Sequence, residues 1–242
     1  MTTIEGSSVL ITGGSRGIGR ELVHEALARG AERVYAGTRG PLSHPDGRVT
    51  PLYLDVTDGD GLRRAAGEVG ALDVLVNNAG IAVPDELDDR TALERHLAVN
   101  LFGTYDVIRA FLPLLLRSRG AIVNNLSLNG LAALPVLPAY SVSKAAAFSL
   151  TQSLRTLLAE RGVRVHAVLT GPVDTDMIRA FDIPKASARS VARALFDGVE
   201  KDEEDIFPDP LSASLAEGWR GGAVKALERQ LAGLRTAGPA GS

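Results

Sequence analysis

Short runs of β-branched and other apolar residues alternate with longer helical stretches along almost the whole chain. Six of these runs have the composition of buried strands, and a seventh, shorter run that of an edge strand. The predicted strands are 8–12, 33–38, 50–56, 72–80, 120–127 and 163–170, with the edge strand at 205–210. Because the intervening stretches are long enough for helical crossovers, the pattern predicts a parallel sheet covered on both faces.

Right-handed crossovers arrange such a chain as an α/β fold, a three-layer doubly wound parallel sheet of the Rossmann type. The longest helices are predicted at 101–118 and 140–161. The stretch "RGPLSHPDGRV" between the second and third strands has no helical period, so it is predicted to be a loop. No Pro/Gly-rich linker divides the 242 residues. We therefore expect a single domain over 1–235 and a disordered tail at 236–242.

The bulk composition is that of a soluble globular protein, with 45% hydrophobic and 23% charged residues and a net charge of −3. This balance favours neither nucleic acid nor an anionic membrane as a partner. The chain has no cysteine and only four scattered histidines, so we expect no metal site. The N-terminus lacks a signal-peptide pattern, and the apolar run "AFLPLLL" is too short to span a bilayer. A cytoplasmic location is therefore expected, and the charged run "EKDEED" at 200–205 is predicted to be a solvated loop.

A glycine-rich stretch, "TGGSRGIG" at 12–19, follows the first strand and opens the first helix. Glycines at such a turn let backbone N–H groups approach a pyrophosphate at the helix N-terminus. The position in the first βαβ unit makes a dinucleotide site more plausible than a merely tight turn. The residues predicted to contact the coenzyme here are Gly13, Ser15, Arg16, Gly17, Ile18 and Gly19.

The end of the second strand indicates which dinucleotide is bound. An acidic residue about 20 positions after the glycines would hold a ribose 2′-hydroxyl. Here Thr38 occupies that place, followed by Arg39, and Arg16 lies within the glycine loop. Two guanidinium groups suit a 2′-phosphate, which favours NADP(H) over NAD(H). The alternative is that both arginines are simply exposed.

Tyr140 and Lys144 are four residues apart in the helix predicted at 140–161, so their side chains share one face. Taken alone, this spacing also fits an amphipathic helix with a half-buried tyrosine and a solvated lysine. Four further features accompany it in the chain: the glycine loop, "NNAG" at 77–80, Asn100 and Ser127, which precedes Tyr140 by 13 residues.

Together these motifs resemble the short-chain dehydrogenase/reductase family, in its shorter, single-domain branch. The resemblance covers about residues 7 to 200. It implies that Tyr140 is the general acid in carbonyl reduction and the general base in alcohol oxidation. Lys144 would lower the phenol pKa and hold the nicotinamide ribose, Ser127 would hydrogen-bond the substrate oxygen, and Asn100 would hold a water. The alternative for Asn100 is a helix-capping amide.

The resemblance also implies contacts to the coenzyme from three later segments. "LDV" would hold the adenine, "NNAG" the adenosine ribose, and "GPVDTDM" at 171–177 the nicotinamide. The family's usual Pro-Gly pair is replaced by Thr170, Gly171 and Pro172, which puts the last contact in question. The residues implied are Asp55, Val56, Asn78, Ala79, Gly80, Val173 and Thr175, beside Tyr140 and Lys144 themselves.

By the same resemblance, apolar residues around Tyr140 and after Thr175 would line the substrate pocket. Their character favours a ketone or alcohol without much charge, and the short stretch before the next helix implies an open site. The alternative is that these side chains only pack against each other. The candidates, beside Ser127, are Leu128, Leu134, Leu137, Met177 and Phe181.

These features predict an NADPH-dependent carbonyl reductase acting reversibly on secondary alcohols. The alternatives are a dehydrogenase of the same family that works toward oxidation, and a dinucleotide-binding regulator without turnover. The helices at 101–118 and 140–161 are apolar on more than one side, and the family pairs them between subunits, so a homodimer or homotetramer is expected. The alternative is that the tail helix at 211–234 covers these faces within one chain.

Overall fold

The computed structural model describes residues 2–236, with side chains described up to residue 233. Seven strands form one sheet in the order β3-β2-β1-β4-β5-β6-β9, and every neighbouring pair is parallel. Two further strands, β7 and β8, pair with each other outside it. The strands are β1 Ser8–Thr12, β2 Arg33–Thr38, β3 Val49–Tyr53, β4 Val74–Asn77, β5 Ala121–Asn125, β6 Arg164–Val168, β7 Val173–Asp174, β8 Ala186–Ser187 and β9 Asp205–Ile206.

Helices separate most of these strands. The two longest, α4 and α5, lie where long helices were predicted. The α-helices are α1 Gly17–Ala28, α2 Gly59–Glu68, α3 Arg90–Leu97, α4 Thr104–Ser118, α5 Pro138–Ala159, α6 Ala188–Glu200, α7 Pro210–Ala213, α8 Ala216–Arg220 and α9 Ala223–Thr236. The predicted tail therefore begins on the last residue of α9, and 237–242 lie outside the described residues.

Helices cover both faces of the sheet, which confirms the three-layer doubly wound fold. On one face α1 and α6 pack their apolar side chains, including Leu22 and Phe196, against β1, β2 and β4. On the other face α2, α4 and the end of α5 form a second core around Phe111. The connection from β2 to β3 contains no helix, as predicted.

The order of the strands reverses between β1 and β4, which are neighbours in the sheet although β2 and β3 lie between them in sequence. In a doubly wound sheet the connections diverge at this point and leave a crevice outside the carboxyl ends of the strands. The glycine loop, "NNAG" and Ser127 all follow carboxyl ends of strands β1, β4 and β5. The fold therefore places three of the predicted motifs at one edge.

The helix predicted at 101–118 starts earlier than expected, because α3, a π-helical segment Ala98–Gly103 and α4 are continuous. Within residues 2–236, this stretch of 90–118 is the one whose length and composition would allow it to cross a membrane. Its α4 part, however, buries Val107, Ile108 and Phe111 completely. Both observations fit a core helix that is apolar because it covers the sheet.

The charged run at 200–205 includes a largely exposed turn at 201–204, as its composition predicts, but its last residue is buried. Asp205 is 4% exposed and binds Arg155 of α5 and Lys225 of α9, at 2.8 and 2.7 Å. It also accepts a hydrogen bond from the indole of Trp219. Although burial alone would raise the pKa of Asp205, the charges of Arg155 and Lys225 hold it below its usual value. These contacts connect α8 and α9 to the edge of the sheet.

Most of the apolar side chains that argued for subunit pairing are covered within one chain. In the helix predicted at 101–118, the sheet and α2 bury six large apolar side chains, whereas Phe102 is exposed and Leu116 is partly buried. On α5, Trp219 of α8 packs edge-on against Phe148, with ring centres 5.7 Å apart. The six buried residues are Val107, Ile108, Phe111, Leu112, Leu114 and Leu115.

Candidate active site

The glycine loop forms a tight cradle at the carboxyl end of β1. Gly13 and Gly17 have φ of +67° and +54°, in the left-handed region that side chains disfavour. A side chain at Gly19 would overlap the carbonyl of Gly13. Only glycine fits these three places, and the resulting concave backbone at the start of α1 suits a pyrophosphate. The residues present therefore fit a bound dinucleotide.

The side chains around this cradle leave two guanidinium groups at the surface. Arg16 occupies the N-cap position of α1 and makes no side-chain cap bond, and Arg39 follows β2. Thr38 is buried and accepts a weak hydrogen bond from the N–H of Gly40 at 3.3 Å. Of the other predicted contacts, Ser15 is exposed, Ile18 is partly buried and Val56 is buried.

Asp55 is the carboxylate that the sequence predicted near the adenine, and it lies within the electrostatic reach of Arg39. Hydrogen bonds from Thr57 lower its pKa most, burial opposes them, and the charge of Arg39 lowers it further. The backbone N–H and hydroxyl of Thr57 donate to it at 2.9 and 2.7 Å. The carboxylate is thus held ionised at the edge of the site.

The residues of "NNAG" hold together the strand ends that border the crevice. The Asn78 amide donates to the carbonyl of Thr12 at 3.0 Å and accepts from the amide of Asn125 at 3.0 Å. The backbone N–H groups of Asn78 and Ala79 both bind the hydroxyl of Thr12. The side chain of Asn78 therefore joins the ends of three strands. A Cβ on Gly80 would lie 3.1 Å from the Asn100 amide oxygen, so a larger residue there would crowd Asn100.

Tyr140 stands in the first turn of α5, beside Ser127 at the end of β5. Burial raises the pKa of the Tyr140 phenol to about 12, although the nearby Ser127 side chain acts to lower it. The hydroxyl of Ser127, whose residue is 7% exposed, also accepts the N–H of Asn129 at 3.1 Å. Ser127 is thereby fixed where it can face the same ligand atom as Tyr140.

Lys144 lies one turn further along α5, and it is buried rather than solvated. Its ammonium donates to the carbonyl of Asn125 at 2.9 Å and lies 5.6 Å from the centre of the Tyr140 ring. Burial lowers its pKa to about 8. Burial therefore dominates the pKa of both side chains, and it outweighs any lowering of the phenol pKa by the charge of Lys144.

Asn100 lies inside the π-helical segment, so the alternative of a helix cap does not apply. Its amide is fully engaged: it donates to the carbonyl of Ile81 and the hydroxyl of Ser143, and it accepts the N–H of Ile81, all at 2.9 Å. Asn100 therefore connects the segment after β4 with α5. Its predicted contact with a water remains a prediction.

The segment after β6, where the sequence departs from the family's Pro-Gly pair, is held by specific hydrogen bonds. The N–H of Gly171 donates to Asp209 at 2.7 Å, and a Cβ at Gly171 would lie 2.6 Å from the same carboxylate. Thr170 donates to the amide of Asn125 at 2.8 Å. Beyond them Val173 is buried in β7, and the methyl of Thr175 lies 3.4 Å from where a Cβ on Gly17 would be. The segment thus closes against the glycine loop.

The predicted substrate residues differ in how far they are available. Leu134 and Met177 are exposed, and Phe181 is partly buried. Leu128 packs against the cluster that contains Phe148, and Leu137 is only 4% exposed. Leu137 therefore belongs to the packing before α5, and the other residues can border an open site.

The model that describes the short chain dehydrogenase family matches residues 7–185. The chain belongs to the short-chain dehydrogenase family. It is an NAD(P)-dependent oxidoreductase by that membership. Its matched segment includes the glycine cradle, Asn100, Ser127, Tyr140 and Lys144.

Relatives and solved structures of this family resemble the chain over most of its length. L-fucose dehydrogenase of Mus musculus is 35% identical over 189 residues, which are 73% of this chain and 69% of that protein. Oxidoreductase UcpA of Salmonella typhimurium is 32% identical over 219 residues, 81% of this chain and 82% of the relative. A crystal structure of a short chain dehydrogenase from Burkholderia cenocepacia, in complex with NADP, is 36% identical with a TM-score of 0.86 and covers 95% of this chain and 99% of that one.

Several polar residues of this short-chain dehydrogenase site were missed by sequence reasoning. The carbonyl of Asn125 accepts a hydrogen bond from the ammonium of Lys144, and the hydroxyl of Ser143 accepts one from the amide of Asn100. His96 packs edge-on near the Tyr140 ring, with centres 6.4 Å apart, and Asp85 binds the start of α5. The spacing of His96, one helical turn before Asn100, is a signal that could have found it. Asp85 had no such local signal.

Proposed function

We propose that the protein is an NADPH-dependent carbonyl reductase that acts reversibly on secondary alcohols. The observation that carries this proposal is that the Tyr140 phenol lies beside the Ser127 side chain, with the Lys144 ammonium 5.6 Å from the centre of the Tyr140 ring. These groups lie at the same sheet edge as the glycine cradle. A protein that only sensed the dinucleotide would need the cradle but not this trio.

The side chains supply the proton and the polarisation that carbonyl reduction requires. The bound coenzyme would supply a hydride to the carbonyl carbon. Tyr140, whose raised pKa keeps it protonated at neutral pH, donates its proton to the carbonyl oxygen, while Ser127 hydrogen-bonds the same oxygen. The positive charge of Lys144 favours the tyrosinate that remains until the proton is replaced. Alcohol oxidation would use the same groups in reverse.

Three observations support NADP(H) as the coenzyme. Arg16 and Arg39 are exposed beside the cradle, and Thr38 replaces the carboxylate that would hold a 2′-hydroxyl. Guanidinium groups bind phosphate through paired, charge-assisted hydrogen bonds. The Burkholderia cenocepacia enzyme, at 36% identity, is in complex with NADP.

The exposed apolar residues Leu134 and Met177 support a ketone or alcohol of low charge as the substrate. The test is a panel of ketones with NADPH, read as loss of absorbance, and the matching secondary alcohols and L-fucose with NADP⁺. Turnover of ketones at neutral pH is the expected result. Turnover of alcohols or L-fucose alone would favour the oxidative dehydrogenase. Tight coenzyme binding without any turnover would favour the regulator and overturn the proposal.

A homodimer or homotetramer in the cytoplasm completes the proposal. Although most of the α4 face is covered, Phe102, Tyr105, Val142 and Leu157 on α4, α5 and the π-helical segment are 42 to 56% exposed. Apolar side chains of this size on adjoining helices suit a symmetric contact with a second copy. Light scattering at micromolar concentration should give two or four times the 25.4 kDa chain mass. A mass of one chain would overturn this part.

A further inference from the structure

The helix that carries Tyr140 and Lys144 begins without a cap of its own. Leu137 occupies the N-cap position of α5 and has no side-chain acceptor, and Pro138 follows it. The first N–H groups of a helix have no partner within the helix, so an acceptor must come from elsewhere. The N–H of Ala139, the residue before Tyr140, is one such donor.

A carboxylate from a distant segment supplies that acceptor. Both oxygens of Asp85, 54 residues earlier in the chain, accept from the N–H of Ala139, at 3.3 and 3.2 Å. One of them also accepts the N–H of Leu87 at 3.2 Å. A negative charge at a helix N-terminus is favourable because it faces the positive end of the helix dipole. Asp85 thus caps the catalytic helix from outside.

The segment that holds Asp85 is itself fixed at every second residue. Ile81 is bound through both backbone groups to Asn100. The N–H of Val83 donates to Nε2 of His96 at 3.1 Å, and Nδ1 of His96 donates to the carbonyl of Ala92 at 2.7 Å. The His96 ring in turn lies against Tyr140. The Asp85 carboxylate is therefore presented by a braced segment.

We propose that Asp85 is a positioning residue for the catalytic helix, one that holds the first turn of α5 so that Tyr140 faces Ser127. The proposal rests on the proposed function, since it concerns the same reaction. Loss of the cap frees the amide next to Tyr140, and a displacement of about 1 Å in a proton donor can cost up to 100-fold in turnover. The glycine cradle lies at β1 and α1, away from this contact, so most of the coenzyme affinity should be kept.

The test compares Asp85→Ala, Asp85→Asn and the control Glu86→Ala, which removes an exposed carboxylate from the adjacent position. We expect Asp85→Ala to lower kcat about tenfold or more, with the KM for NADPH within about twofold. Asn keeps an oxygen acceptor, so Asp85→Asn should retain most of kcat, and Glu86→Ala should behave as wild type. A purely structural loop role would instead lower thermal stability and coenzyme binding together.

Hydrogen exchange provides a readout that needs no activity. The amides at 139–141 should exchange faster in Asp85→Ala than in wild type or Glu86→Ala. Wild-type kcat in Asp85→Ala, or unchanged exchange at these amides, would overturn the positioning role. A wild-type protein that turns over no substrate would contradict the proposed function instead, and the exchange result would still decide the cap.

Discussion

The ammonium of Lys144 lies 5.6 Å from the centre of the Tyr140 ring, yet its hydrogen bond goes to the carbonyl of Asn125 on β5. Burial acts on the two groups in opposite directions: it raises the phenol pKa to about 12 and lowers the ammonium pKa to about 8. Both are therefore uncharged between these two values. The lysine, and not the tyrosine, is the group that titrates nearest to neutral pH.

We expect the alkaline limb of kcat/KM for ketone reduction to break near pH 8. This parameter reports groups of the uncombined enzyme, and Lys144 loses its charge there because its pKa is lowered to about 8. Lys144→Arg is the matched variant, since a guanidinium does not deprotonate in this range. Its residual activity should show no break near pH 8. A break that persists in Lys144→Arg would assign it to another group.

Replacing Lys144 by Met should stabilise the protein while it abolishes turnover. The lysine pKa falls from 10.5 to about 8 on folding, so the unfolded chain binds the proton more tightly. The cost to the folded state is thus complete below about pH 8 and fades as the pH rises to 10.5. At pH 7 we expect the free energy of unfolding to rise by about 3 kcal/mol, from a lowering of the pKa by about 2.5 at roughly 1.4 kcal/mol per pKa unit. Chemical denaturation of wild type and Lys144→Met at pH 7 and pH 10 measures the stability difference at each pH. Destabilisation of Lys144→Met at pH 7 would contradict the lowered pKa of Lys144.

Tyr140→Phe should keep the ring packing and remove only the transferable proton. Turnover of an accepted ketone should fall by a factor of order 100 or more. The thermal midpoint and NADPH affinity should stay close to wild type, because neither the core nor the cradle changes. Near-normal kcat in this variant would show that another group donates the proton.

Arg39→Ala should weaken NADPH binding much more than NADH binding, since only NADPH carries the 2′-phosphate. Loss of one charge-assisted contact corresponds to about 10- to 150-fold in Kd. Arg20→Ala, which removes an exposed cation from α1, is the control and should change neither affinity. Titration monitored by coenzyme fluorescence measures the Kd of wild type and of each variant for both coenzymes. Equal weakening for both coenzymes would point to a shared contact instead.

Asp205→Asn should be strongly destabilising, because it leaves Arg155 and Lys225 partly uncompensated beside the sheet edge. We expect a loss of about 3 kcal/mol in the free energy of unfolding. Asp202→Asn, at the exposed pair with Arg164, should cost less than about 1 kcal/mol. Urea denaturation compares the two. A loss no larger than that of Asp202→Asn would show that the cluster contributes little.

The carboxylate of Asp205 should also make the stability of the protein depend on pH in the acid range. The folded-state pKa of Asp205 is depressed, so its stabilisation is complete above its unfolded pKa and is lost as the pH falls through the folded one. The difference in stability between wild type and Asp205→Asn should therefore shrink below about pH 4, the usual range of an aspartate. A difference that is constant down to pH 3 would contradict this direction.

Local patterns predicted the sheet, the long helices and the glycine cradle because each depends on residues close together in sequence. The candidates Ser127, Tyr140 and Lys144 could be proposed for the same reason, because the spacing between them along the chain is short. Asp205 was misjudged as solvated because its partners, Arg155 and Lys225, lie 50 and 20 residues away. A run of charges carries no information about such partners.

The same limit explains why Asp85 was missed. Its partner is a backbone N–H in a helix 54 residues further along the chain, and no side-chain pattern marks a backbone donor. Leu137 was predicted to line the pocket because, in sequence, an apolar residue that lines a pocket looks the same as one that packs beneath it. The burial of Lys144, and with it the direction of both pKa shifts, likewise required the packed structure.

The π-helical segment Ala98–Gly103 gives the 90–118 helix a narrow tolerance for changes in length. A π turn holds one residue more than an α turn, so deleting a single residue there would let the helix continue as regular α-helix. A π turn and an α turn each complete one revolution, so the helix before the deletion would keep its face relative to α4, whereas residues inside the segment would change face. His96 would then stay beside Val83, but Asn100 would move away from Ile81 or Ser143. Deletions within this segment should therefore be absent among active variants, because they displace Asn100.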